Sequence, residues 1–367
     1  MAEQMPGPQG AVHGATSVRP ATSRGKHARN RNLAAGLASA LLVTVVSAIF
    51  VISFIGGLHD PGPRSVPVGF VGPRVDAARL GTALSRQVPG AFTVTRYPSE
   101  GAARSGMFHR NIDAALLSGP ASERLLVATA VSEAETNAIL KVFSAGAARA
   151  HVPLAVQNIR PLHPGDPQGL SQVFFITALL APSLVFGSLL INRIGTKLNE
   201  FWHLAMILIH AVIIAAVATA IADAAIGALT GAPWAIFGIG VLLAFAAAAM
   251  GAATTRWAGG AGYVVILLLF VPVGLASSGT TLGPRMITPW YADLGKALPP
   301  GTAQPAIRNV TYFDGNAITD PLLVLSAWAL AGVIALVLAA VLHPRAPGAA
   351  GQSPRQQQRA RQSPQLT

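Results

Sequence analysis

Cysteine is absent, so no disulfide staples any part of the chain. Charge is scarce as well. Only 11% of residues are Asp, Glu, Lys or Arg, where a soluble domain carries roughly a quarter. No G-x-x-x-x-G-K-[ST] run occurs, which excludes a P-loop for ATP hydrolysis. Gly-x-Ser-x-Gly is missing too, and no histidines fall at a metal-ligand spacing. These gaps argue against an enzyme, against a bound metal and against any cofactor. The abundant feature is apolar sequence: mean hydropathy is +0.51 over 367 residues.

The apolar residues fall in blocks of about 20, the length a helix needs to cross roughly 30 Å of hydrocarbon. Six such blocks occur, at 34 to 57, 173 to 192, 203 to 228, 233 to 254, 261 to 279 and 321 to 342. The first follows Arg24, Lys26, Arg29 and Arg31 but lacks an A-x-A cleavage pattern, so it reads as a retained signal anchor. The net charge of +12 would suggest nucleic acid in a soluble chain. Here it is concentrated in the tails, which argues for contact with anionic membrane lipid and no nucleic acid. Residues 1 to 33 and 344 to 367 read as disordered basic tails, both cytoplasmic by the positive-inside rule. The loops at 193 to 202 and 255 to 260 then lie inside, and residues 58 to 172 lie outside. The expected product is an α-helical polytopic protein of the cytoplasmic membrane, with six transmembrane helices and a small α/β extracytoplasmic domain between the first and second.

Within 58 to 172, strand-like runs at 65 to 71, 91 to 97, 112 to 117, 124 to 131 and 153 to 159 alternate with helical patterns at 75 to 88, 99 to 110 and 132 to 151. Ser99 and Ser132 are candidate N-caps. Its histidines and the carboxylates Asp76, Asp113 and Glu123 form no catalytic pattern, so the domain reads as a binding or scaffolding element. Asp166, Pro167 and Gly169 precede the second span and read either as a hinge or as a simple helix start.

Within the spans, His210 and Asp223 are the candidate relay groups, Asn199, His203 and His210 share one helix face that suits packing, and proton coupling is poorly supported. The cytoplasmic loop NRIGTKLNEFWH mixes Arg193, Lys197 and Glu200 with Phe201 and Trp202. It suits either a surface helix that contacts a motor or an interfacial turn. Residues 284 to 315 form a polar stretch before the last span. Trp290, Tyr291, Tyr312 and Phe313 favour the headgroup zone, Pro299 and Pro300 break the stretch into short helices, and Arg308 is a lone cation. Two short helices dipping into the outer leaflet, at the mouth of a path, fit these features, as does a plain extracellular cap.

One span, a large outer domain and five further spans, with DPQGLSQVFF at 166 to 175 and ALPPGTAQPAIRNVTYFDG at 297 to 315, resemble the ABC-2 type permeases. Within them the chain looks most like the YhgE/Pip and DUF3533-like branch found in actinobacteria. The resemblance implies a permease subunit that forms a homodimer or heterodimer, pairs with a separate ATP-binding chain and exports amphiphilic or polymeric substrates. It places the coupling helix at 192 to 203, although the glutamate-led stretch that usually opens it is replaced by Asn192 and Arg193. The alternative is a non-transporting scaffold or receptor whose outer domain binds envelope components.

Overall fold

In a computed structural model the described residues are 22–119, 122–194, 199–279 and 282–342. Most of the two basic tails, and Lys197, lie outside them. The chain divides into two units, Met1–Ala48 and Ile49–Thr367. In its described part the first unit is helical, within α1 (Thr22–Val51). Residues 22 to 33, expected as disordered tail, are therefore helical in backbone. No proline lies between Thr22 and Val51 to stop the helix from running on.

The second unit begins with the α/β domain. Its elements are β1 (Val66–Val71), α2 (Arg74–Gln87), β2 (Phe92–Tyr97), α3 (Glu100–Phe108), β3 (Ala114–Ser118), β4 (Glu123–Val127), α4 (Glu133–Ala150) and β5 (Leu154–Asn158). The strands form one mixed sheet in the order β2-β1-β3-β4-β5, antiparallel only between β3 and β4. The hydroxyls of Ser99 and Ser132 accept from the backbone N–H of Ala102 and Glu135, both at 3.2 Å, and so cap α3 and α4. One sheet face packs Val66, Val68, Leu116 and Leu125 against Leu84, Ile139 and Phe143 of α2 and α4. The other packs Ala115, Leu117 and Leu126 against Ala103 and Met107 of α3, and this second core is completed by Phe313, from far along the chain.

Among the described residues, five helices are long and apolar enough to cross a membrane: Asn32–Gly56, Ser171–Arg193, Glu200–Ala225, Pro233–Ser277 and Thr319–Leu342. They contain α5 (Ser171–Ile194), α6 (Glu200–Ala220), α7 (Pro233–Leu268), the short α8 (Gly274–Ser277) and, as the last, α11 (Thr319–Leu342). The fourth covers two blocks expected as separate spans, at 233 to 254 and 261 to 279. Its 45 residues would reach about 68 Å if straight, and it is not straight. Helical geometry fails at Ala258 and at Gly259, whose φ of +60° is one that glycine tolerates best. A Cβ at Gly262 would stand 2.2 Å from the Thr254 carbonyl oxygen, whereas eight residues of straight helix separate atoms by about 12 Å. Ile236 and Ile239 also share one buried cluster with Ile266 and Phe270. The chain therefore folds back at the break, within the stretch expected as the 255 to 260 loop.

Backbones approach closely where α5 meets α7. A Cβ on Gly187 would fall 2.0 Å from the Ala248 oxygen, and one on Gly251 would fall 2.5 Å from the Leu184 oxygen. Small residues allow this contact in the absence of a hydrophobic driving force within lipid. His210 of α6 hydrogen bonds Ser183 of α5 at 3.1 Å and stacks on Phe186, a helix-packing arrangement.

Candidate functional site between the sheet domain and the helix bundle

Between the fourth and fifth apolar helices lie α9 (Pro289–Ala297) and α10 (Pro299–Tyr312). With 9 and 14 residues they reach about 14 and 21 Å, short of a bilayer crossing. Pro289 and Pro299 stand at the first helical positions, where a missing N–H costs nothing, so prolines that would break a longer helix start these two. Pro299, Pro300, Ala303, Ala306 and Ile307 of α10 are buried, and Ala303, Ala306 and Ile307 join the bundle core. Trp328 of α11 donates its indole N–H to the Ala297 carbonyl at 2.7 Å, which fixes the turn between α9 and α10.

Three sets of contacts join this segment to the α/β domain. The first is Arg308. Its Nε and Nη2 donate to Gln172 Oε1 at 3.2 and 2.8 Å, Nη1 donates to the Val131 carbonyl and Nη2 reaches the Gly169 carbonyl at 3.5 Å. Burial lowers its pKa to about 10, so it stays charged at neutral pH. The second set is the turn at 282 to 286. Ser132 donates to the Leu282 carbonyl at 2.7 Å, Arg285 Nε lies 2.9 Å from Asp113 Oδ2, and Arg285 Nη1 donates to the Ser65 carbonyl at 3.1 Å. The third is Phe313, fully buried in the domain, with the Arg110 guanidinium 4.8 Å from its ring centre.

These contacts surround a cavity of about 210 Å³ lined by Arg110, Asp113, Glu135, Arg285, Lys296 and Arg308, among others. Asp113 is buried and paired with two guanidiniums, Arg110 at 3.1 Å and Arg285 at 2.9 Å. Glu135 is buried beside it, with no hydrogen-bond partner on Oε1 among the described residues. Burial pushes the Glu135 carboxyl well above the usual range; the neighbouring Asp113 adds to this, and Arg285 and Arg110 oppose it. The native state then holds this proton more tightly than the unfolded chain does. Stability therefore falls as pH rises above the ordinary glutamate value and through the folded pKa. Glu135→Gln cannot titrate. The variant is expected to melt close to wild type at pH 4.5 and above it at pH 8, by on the order of 1–3 kcal/mol, the usual cost of an unsatisfied buried group. Thermal unfolding of the purified full chain at both values checks this; equal midpoints at pH 8 would remove Glu135 from the account.

The residues singled out by sequence separate into two places. Arg308, Tyr312 and Phe313 converge on the junction, as do Asp166 and Gly169. Asp166 accepts the N–H groups of Leu170 and Ser171 at 3.0 and 3.1 Å, which makes it the cap of α5, and Gly169 contributes its carbonyl to Arg308. Pro167 is exposed. Pro299 and Pro300 lie in the bundle, Tyr291 is buried against Val273 and Ser53, and Trp290 is 70% exposed. The other group lies at the far end of α5, 24 residues away or about 36 Å. There Asn199 caps α6, and Glu200 pairs with Arg256 at 2.5 Å, while Phe201 and Trp202 are 70% and 51% exposed and Arg193 is exposed. Sequence reasoning missed Glu135, Arg285 and Arg110. The one usable signal was Arg285, a cation set between apolar helices.

No family model, curated protein or solved structure matches this chain.

Proposed function

We propose that the protein is a membrane permease subunit of the ABC-2 exporter type, which moves an amphiphilic substrate outward and is energised by a separate ATP-binding chain. The observation that carries this reading is the α9–α10 pair: two helices too short to cross, inserted in the bundle and bonded to a folded domain. Helices of this kind within a bundle are a means of lining a wet path at membrane depth. Taking the fold-back at Ala258–Gly259 as a loop between two crossings gives six spans, with both termini on the cytoplasmic side of the plasma membrane. The Glu200–Arg256 pair then anchors the start of α6 to α7 on the cytoplasmic side and leaves Phe201 and Trp202 outward as an apolar contact for the ATPase. Dimerisation would use the lipid-facing surface of α6, where Leu208, Ile209, Ile213 and Val217 are exposed.

Purification of the full chain from its host, with mass spectrometry of the associated chains, tests the reading. An ATPase in near-equal amount is expected, with at least tenfold less recovered for Phe201→Ala/Trp202→Ala, since aromatic anchors carry much of the energy of such contacts. Envelope proteins recovered without any ATPase would replace the permease by a scaffold.

A further inference from the structure

We infer that the junction cavity is a binding site for a phosphate-bearing ligand, held by Arg110, Arg285 and Arg308. Three guanidiniums face two carboxylates there, so positive charge is in excess even with both acids ionised. Burial of Glu135 favours its acid form and enlarges that excess. Arg308 contributes most, because among the described residues its hydrogen bonds all go to neutral acceptors. Among the described residues Arg308 forms no direct ion pair, with Glu135 and Asp166 acting on it only at longer range; a cation so buried is costly, and an anion in the adjoining cavity offsets that cost. Arginine N–H groups suit phosphate oxygens, and Arg308 keeps one N–H on Nη1 outside its four hydrogen bonds, with further N–H groups available from Arg110 and Arg285.

A cation is a poor occupant. Asp113 already lies between Arg110 and Arg285, and a further positive charge would meet Arg308. Glu135 Oε1 has no hydrogen bond among the described residues, and the acid form can donate its proton either to the Asp113 carboxylate beside it or to a phosphate oxygen in the cavity. The volume of about 210 Å³ is many times the ~10–15 Å³ that a single water needs. That accommodates a phosphoryl group and part of its ester, with the remainder of a larger molecule outside. α9 both lines the cavity and exposes Trp290, a residue suited to the headgroup zone, so a lipid phosphate and a soluble phosphate ester both have access.

The site binds phosphate whether or not the chain is a transporter, so its test needs no transport assay. Full-length protein in detergent is titrated with inorganic phosphate and with glycerol 3-phosphate by calorimetry. In parallel it is equilibrated with phosphatidylglycerol vesicles, and retained lipid is read by native mass spectrometry. Saturable binding that excess chloride does not displace is expected in at least one arm. Arg285→Gln should weaken it about tenfold or more, as loss of a charge-assisted pair does. Binding of the soluble probes alone identifies a free phosphate ester, and retention of the lipid alone identifies a headgroup. Hydrogen exchange of residues 282 to 312 with and without ligand reads the same site in the wild type, should Arg285→Gln fail to fold. Absence of saturable binding in both arms overturns the inference. So does an Arg285→Gln affinity within twofold of wild type, or exchange at 282 to 312 that ligand leaves unchanged.

Discussion

Phe313→Ala is expected to loosen the α/β domain while the helix bundle stays folded. Phe313 lies in the second core of that domain with Ala103, Met107, Ile112 and Leu126, and no part of its ring reaches solvent. Truncating a fully buried phenylalanine costs about 3–5 kcal/mol, a large share of what a small domain has in reserve. The removed ring also leaves the Arg110 guanidinium without its aromatic face, next to an Asp113 that Arg110 helps to hold. Hydrogen exchange should rise across α3 and β3, and protease should cut within residues 100 to 131, with the helical circular dichroism of the bundle retained. The same loosening is expected of residues 58 to 172 produced alone, because that fragment lacks Phe313 altogether. Wild-type protection in Phe313→Ala would mean that the sheet face closes without the ring.

That dependence marks the limit of what the sequence makes legible. The alternation of strands and helices between residues 65 and 159 can be read directly, since period-2 and period-3.6 patterns are local. The caps at Ser99 and Ser132 are equally local, each a serine preceding its helix. Phe313 is different. Beside Tyr312, after a proline-rich stretch and before an apolar helix, its composition points to the headgroup zone, and only the tertiary path of the chain brings it under the sheet. Glu135 misleads for a related reason. Ser132-Glu-Ala-Glu135 has the form of a capping box, which normally leaves the glutamate solvated at the helix start. The turn at 282 to 286 closes over it and buries it instead. The apolar helices follow from hydropathy alone. Whether two apolar blocks are separate helices or one broken helix depends on φ at Gly259, which hydropathy does not encode.

Arg308→Met is expected to detach the α/β domain from the bundle. The substitution keeps much of the side-chain volume and removes all four hydrogen bonds, so the Val131 and Gly169 carbonyls and Gln172 Oε1 are left facing an apolar chain. Removing one partner from a buried charged arrangement costs about 3–5 kcal/mol. The loss falls on the joint, because Val131 belongs to the domain, Gly169 and Gln172 to the start of α5, and Arg308 to α10. Protease should then cut the 160 to 170 connection many times faster than in wild type, while the sheet and the bundle each keep their own protection against exchange. Arg308→Lys separates charge from shape. A lysine retains the positive charge but cannot span two carbonyls and an amide with one planar fork, so its cleavage rate should fall between those of wild type and Arg308→Met. A rate equal to wild type in Arg308→Lys would assign the joint to charge alone. A wild-type rate in Arg308→Met would mean that the Arg285 contacts and the Phe313 ring suffice to hold the two parts together, and that Arg308 is retained for what it faces in the cavity.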